Sequence, residues 1–107
     1  MFYDFPQDFK AFEPVSGFLV RVVSGERLML SHVTLAPHSE APLHRHSEEQ
    51  MGIMLDGEFE MTIGDETRFL KKGDMYLVPA NTIHGGITHN EHALILDAFS
   101  PPREAYR

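Results

Sequence analysis

From Ser16 to Ser100 turn residues recur every eight to twelve positions, and no interval between them carries a helical period. That punctuation leaves room for short strands and little else. It predicts an all-β barrel or sandwich. The apolar runs are Gly17 to Val23, Arg27 to Ala36, Gln50 to Leu55, Glu58 to Ile63, Thr67 to Leu70, Met75 to Pro79, Ile83 to Thr88 and His92 to Ser100. Asp56-Gly57 lies between two of them and predicts a tight hairpin. Gly64-Asp65 and Lys72-Gly73-Asp74 predict the next turns. A chain of 107 residues has room for one core. The expected division is an aromatic arm over 1–14, a barrel over 15–100 and a tail over 101–107 that forms one helical turn. The arm holds Phe2, Tyr3, Phe5, Phe9 and Phe12 at irregular spacing. It is expected to cover either its own core or a second subunit, and a homodimer is the expected assembly, with Phe2, Tyr3, Phe5 and Phe9 as contacts.

Composition removes several function classes. There is no cysteine, so disulfides, thiolate metal sites, iron–sulfur clusters and a cysteine nucleophile are excluded. Nine basic residues against sixteen acidic ones give a formal charge of -7. Such a chain is poorly suited to a nucleic-acid backbone, and it has no polybasic run for a membrane surface. No apolar run approaches the roughly 20 residues of a membrane helix. The first ten residues carry Asp4 and Asp8 among aromatics and do not read as a signal peptide, so the expected location is the cytoplasm.

Seven histidines are the excess in this composition. Histidine is the commonest metal ligand, and without cysteine any metal site must be built from imidazole, carboxylate or amide oxygen. His44 and His46 are two apart, so on extended chain both rings reach one face. Gln50 follows at even spacing with a neutral oxygen donor. His84 comes back after Pro79, far enough along for a hairpin to return it beside the pair. Three imidazoles and one oxygen suit a divalent ion with open positions for water or substrate. Gln50 either ligates that ion or hydrogen-bonds a water on it. His32 and His38 have no such support, and His89 and His92 are expected to face solvent.

These residues carry a resemblance. His44-Arg45-His46-Ser47-Glu48-Glu49-Gln50, followed six residues on by Gly57, resembles the first cupin motif, H-x-H-x3-E-x6-G. Gly73, Pro79 and His84 resemble the second, G-x5-P-x-G-x2-H-x3-N, with 15 residues between Gly57 and Gly73. The resemblance covers about Leu35 to Phe99. It implies a single-domain cupin, a jelly-roll barrel or double-stranded β-helix, with one divalent metal per chain at its centre. Nickel, zinc, iron, cobalt and manganese all suit the donors. Three positions depart from the pattern: Gln50 stands for the usual Glu, Asn81 for Gly, and Thr88 for Asn. Without the carboxylate the ion keeps a fuller positive charge and is better able to bind an anionic oxygen ligand.

Asp97 interrupts the last apolar run, where alternation puts it on the face of Ile95 and Phe99. A buried carboxylate is costly unless paired or at work near a metal. Asp97 either pairs with Arg103 to anchor the tail, or transfers protons beside the metal while Arg103 grips a substrate carboxylate in two-point fashion. With the His, His, Gln, His set, the stretch Asp97-Ala98-Phe99-Ser100-Pro101-Pro102-Arg103-Glu104 resembles the KdgF-type cupins of pectin and alginate breakdown. That resemblance implies conversion of 4,5-unsaturated uronates to open-chain keto forms, with Asp97, Phe99 and Arg103 lining the pocket. The leading expectation is therefore a metal-dependent sugar-acid isomerase. A metal-dependent dioxygenase or other cupin isomerase is the second, and a non-catalytic sugar- or ligand-binding cupin the third.

Overall fold

The computed structural model describes residues 1–107. Eight strands follow in order: β1 (Phe18–Ser24), β2 (Met29–Leu35), β3 (Glu40–His44), β4 (Glu49–Ile63), β5 (Glu66–Lys71), β6 (Met75–Val78), β7 (His84–Ile87) and β8 (Ala93–Ser100). A 3-10 turn, Glu104–Tyr106, closes the tail. The pairing is antiparallel throughout. One sheet runs β1-β2-β8-β4-β6 and the other β3-β7-β4-β5, with β4 shared between them. This is the all-β barrel the turn spacing implies. No helix is long and apolar enough to cross a membrane.

The core follows from alternation. In β2, Met29, Ser31, Val33 and Leu35 are buried; in β8, Ala93, Ile95, Asp97 and Phe99 are. Val20, Val33, Leu35, Met54, Phe59, Met61, Leu70, Val78, Ala93 and Ile95 form one cluster inside the curl. Burying a side chain of the Val, Leu or Phe kind stabilises by roughly 1.5–3 kcal/mol, so the barrel has an apolar core of its own, independent of any ion.

Asp56-Gly57 corrects one expectation. It is no hairpin: β4 runs straight through it for 15 residues. Before it β4 pairs with β6 and β8, and after it with β5 and β7. The register against β8 slips between Met54 and Asp56, and Gly57 adopts a φ of 77°. A Cβ on Gly57 would overlap the His92 carbonyl oxygen. The pair therefore makes a bulge that bends β4 from one sheet into the other. Bulge and hairpin need the same positive φ, so the dipeptide alone does not distinguish them.

β3 is a strand the apolar runs did not announce. It is mostly exposed, pairs only with β7, and carries Pro42, which an edge strand tolerates. In the arm, Phe12 joins Val20 through two backbone hydrogen bonds, of 3.0 and 2.8 Å, and packs on the core. Phe5 lies on the His32 ring at 4.6 Å. Phe2 stays exposed.

Candidate functional site

The three motif histidines meet at one end of the barrel. His44 ends β3 and His84 begins β7, and the two are register partners across that pair. His46 lies just past β3. Ring centroids are 4.3 Å apart for His44–His84, 4.8 Å for His46–His84 and 5.7 Å for His44–His46. The ligand atoms of all three fall within 4.8 Å of one another.

Each ring is oriented by its own neighbourhood. Nδ1 of His44, His46 and His84 lies 2.8, 3.0 and 2.8 Å from the carbonyl oxygens of Pro42, Glu48 and Thr82. A carbonyl only accepts, so each Nδ1 carries the proton, and in the neutral ring Nε2 keeps its lone pair. Burial lowers the His84 pKa to about 4, with His44, His46 and Arg103 adding in the same direction. Burial also lowers that of His46, and Arg103 adds to it. The rings of His84 and His46 are thus held neutral, as metal ligands must be.

Gln50, buried at the start of β4, places Oε1 3.0 Å from His46 Nε2. With Nδ1 as the donor, this contact sets two acceptors against each other. A cation shared by both satisfies them. Adjacent ligands around an ion with bonds of about 2.1 Å sit roughly 3 Å apart in octahedral geometry. The donor set therefore fits a divalent ion held by His44, His46, His84 and Gln50.

The second part of the site comes from the other sheet. Asp97 is buried in the middle of β8, inward between Ile95 and Phe99. Its Oδ1 accepts a hydrogen bond from the hydroxyl of Tyr76 in β6. Burial raises its pKa to about 6, against the opposing pull of Tyr76, the Gln50 amide and Arg103. Burial, then the Asp97 charge, pushes the Tyr76 hydroxyl well above its ordinary value. Arg103 does not form the tail-anchoring ion pair. Its guanidinium lies over Tyr106 at 4.3 Å and Phe99 at 5.8 Å, and Tyr106 packs in turn on Phe12 at 5.4 Å. Aromatic faces hold the tail, and the Arg103 charge reaches His46, His84 and Asp97 through space.

One cavity of about 70 Å³ joins the two parts, lined by His44, Gln50, His84, Asp97, Phe99 and Arg103 at its polar side. Phe18, Val33, Leu35, Phe59, Met61 and Ile95 form its apolar floor. Tyr76 and Tyr106 also line it, and neither was singled out from the sequence. The available signal for Tyr76 was Gly52, a glycine inside a strand run, which marks close approach of a neighbour. The other histidines stand apart. His32 packs under Phe5, His38 sits in a turn with φ 57°, and His89 and His92 bond Glu60 and Asp56 at the surface, at 2.8 and 3.0 Å.

Against known proteins, the family model of the cupin domain matches residues 31–99. The pectin degradation protein KdgF of Dickeya dadantii is 35% identical over 77 residues, which are 71% of this chain and 70% of that protein. An H2HPP isomerase of Bacillus subtilis is 35% identical over 69 residues, 64% of this chain but only 28% of that longer protein. Among solved structures, an RmlC-like cupin from Shewanella frigidimarina superposes with a TM-score of 0.91 at 22% identity, covering 100% of this chain and 96% of its own. KdgF from Halomonas does so with a TM-score of 0.89 at 24% identity, covering 100% and 99%. At these identities the two structures speak for the fold alone.

Proposed function

The chain belongs to the cupin family, and from that premise we propose that it is a metal-dependent isomerase of small sugar acids, opening and tautomerising 4,5-unsaturated uronates to linear keto forms. The observation that carries this reading is one buried carboxylate and one guanidinium on the cavity shared with the imidazole cluster. A divalent ion on His44, His46, Gln50 and His84 would polarise a substrate hydroxyl or carbonyl oxygen. Arg103, flattened against Tyr106 and Phe99, offers a planar fork to the substrate carboxylate. Asp97, with its pKa near 6, can take a proton from one substrate atom and return it to another near neutral pH. Phe99 walls the pocket between them. The ligands are all neutral, so an ion and Arg103 together leave the mouth positive on an acidic protein, which favours an anionic substrate.

The experiment is turnover of unsaturated galacturonate, followed as loss of its ultraviolet absorbance, with metal analysis of the same sample. No loss of absorbance by fully metal-loaded protein would remove the uronate reading.

The apolar floor favours a second reading. Six apolar side chains offer little to a ring of hydroxyls and suit a flatter, more apolar keto acid. This is an isomerase of the broader kind, in keeping with the Bacillus subtilis relative. A dioxygenase would consume oxygen, and a binding module would hold ligand without turnover; an oxygen electrode and calorimetry separate them.

A further inference from the structure

The geometry assigns Tyr76 as a positioning residue: its hydroxyl, reaching Asp97 Oδ1 across the bare backbone of Gly52, fixes the carboxylate so that Oδ2 is the oxygen presented to substrate. The inference rests on the reading of Asp97 as the proton-transfer group, and it adds a residue at a position that the second cupin motif leaves unspecified.

Three strands lie side by side here. Tyr76 of β6 is the register partner of Gly52 in β4, and Gly52 is the register partner of Asp97 in β8. Tyr76 and Asp97 therefore stand two strand spacings apart, roughly 9.6 Å of backbone. Only a long side chain lying flat over the middle strand closes that gap. Any side chain on the middle strand would block it. A Cβ on Gly52 would overlap Asp97 Oδ1 and both Cζ and Oη of Tyr76. The glycine is thus the channel through which the hydroxyl reaches the carboxylate.

The hydrogen bond has a mechanical consequence. The terminal torsion of an aspartate is broad and nearly two-fold, so an unheld carboxylate exchanges its two oxygens freely. One bonded oxygen ends that exchange. The other side of the row offers no substitute. Ser31, the register partner of Asp97 in β2, is fully buried, yet its hydroxyl bonds nothing. Tyr76 supplies the larger of the two side-chain hydrogen-bond contributions at Asp97, the Gln50 amide the smaller, and misorientation on the scale of an ångström can cost on the order of 100-fold in rate.

The test uses zinc-loaded wild type, Tyr76→Phe, Asp97→Asn and the double variant. Metal content, kcat and KM for unsaturated galacturonate, and the tyrosine hydroxyl proton by NMR are read on each. Tyr76→Phe is expected to keep its metal and its KM within about twofold and to lose roughly tenfold or more in kcat. Added to Asp97→Asn, it is expected to lose nothing further, because the group it holds is already gone. A kcat within twofold of wild type, or an equal loss in both backgrounds, would overturn the assignment. The spectrum decides independently of turnover. A protected low-field hydroxyl signal is expected in wild type, absent from Tyr76→Phe and displaced in Asp97→Asn. If wild type leaves the uronate untouched, the substrate reading fails alone, and a hydroxyl signal indifferent to Asp97→Asn then overturns the positioning role by itself.

Discussion

The imidazole cluster and the buried carboxylate share one cavity, yet they are built in opposite ways. The imidazoles stand at strand ends and in a loop, on β3, just beyond it, and on β7. Each is oriented by a carbonyl two residues away along its own chain. The carboxylate stands mid-strand in β8, between β2 and β4, and its partner Tyr76 arrives from β6. Both regions are brought together by strand pairing, but the imidazole rings are oriented locally while the carboxylate is oriented across the sheet. A device spread over three strands depends on their register.

The largest expected break is on the local side. His44→Ala together with His84→Ala should abolish stoichiometric metal binding, read by metal analysis, because the remaining donors cannot hold a divalent ion. Circular dichroism should still show a folded barrel, since the core is a separate apolar cluster. Full metal content in that double variant would dissolve the local half of the contrast.

Next comes Asp97→Asn. Turnover should fall by roughly two to four orders of magnitude, the usual share of acid–base catalysis, with metal content unchanged. Normal turnover by folded, metal-loaded protein would take Asp97 out of the chemistry.

The two regions should also respond to acid with opposite signs in chelator-treated protein. Asp97 binds its proton more tightly when folded, about 6 against 3.8, so its contribution to stability improves as pH falls through that window. His84 resists protonation when folded, about 4 against 6.5, so its contribution is lost as pH falls from 6.5 toward 4. In wild type the two offset. Asp97→Asn should therefore melt more steeply on acidification than wild type, and His84→Gln less steeply, by up to about 3 kcal/mol between pH 7 and 4 in urea titrations. Parallel pH curves for all three would mean that neither group is buried as described.

Arg103→Lys should be milder. Lysine keeps the charge but loses the planar grip and much of the stacking on Tyr106, so KM should rise roughly tenfold with kcat nearly preserved. A change in kcat alone would point away from substrate binding. Smallest of all, His89→Gln and His92→Gln remove exposed pairs with Glu60 and Asp56 and should shift stability by no more than about 0.5 kcal/mol.

The same contrast explains what the sequence made legible. His44, His46, Gln50 and His84 could be grouped because their spacing and the paired motifs are properties of the chain itself. Asp97 was visible as a charge in an apolar run. Its partner was not: Tyr76 lies in Met75-Tyr76-Leu77-Val78, which reads as an ordinary strand, and nothing local says that β6 and β8 flank the same stretch of β4. Arg103 was legible as a residue of the cavity, and of the two alternatives the sequence left open for it the structure lacks the ion pair with Asp97, its guanidinium stacking on Tyr106 instead. Asp56-Gly57 was foreseen as a site of positive φ and misassigned as a hairpin, because only the pairing of β4 with both sheets distinguishes a bend from a reversal.

β8 follows the other seven strands of the barrel in chain order, and β2 and β4 both pair with it; Met29 pairs with Phe99, and Glu49 with Ser100. Until residue 100 is available, β2 and the first half of β4 each present an unpaired ladder edge, although β3, β5, β6 and β7 can already pair. Such long-range pairing makes for slow folding and for a nascent chain whose open edges invite association. The strand that closes this gap also carries Asp97 and Phe99. Barrel closure and delivery of the carboxylate are consequently a single event, so no half-assembled chain can display the imidazoles and the acid together.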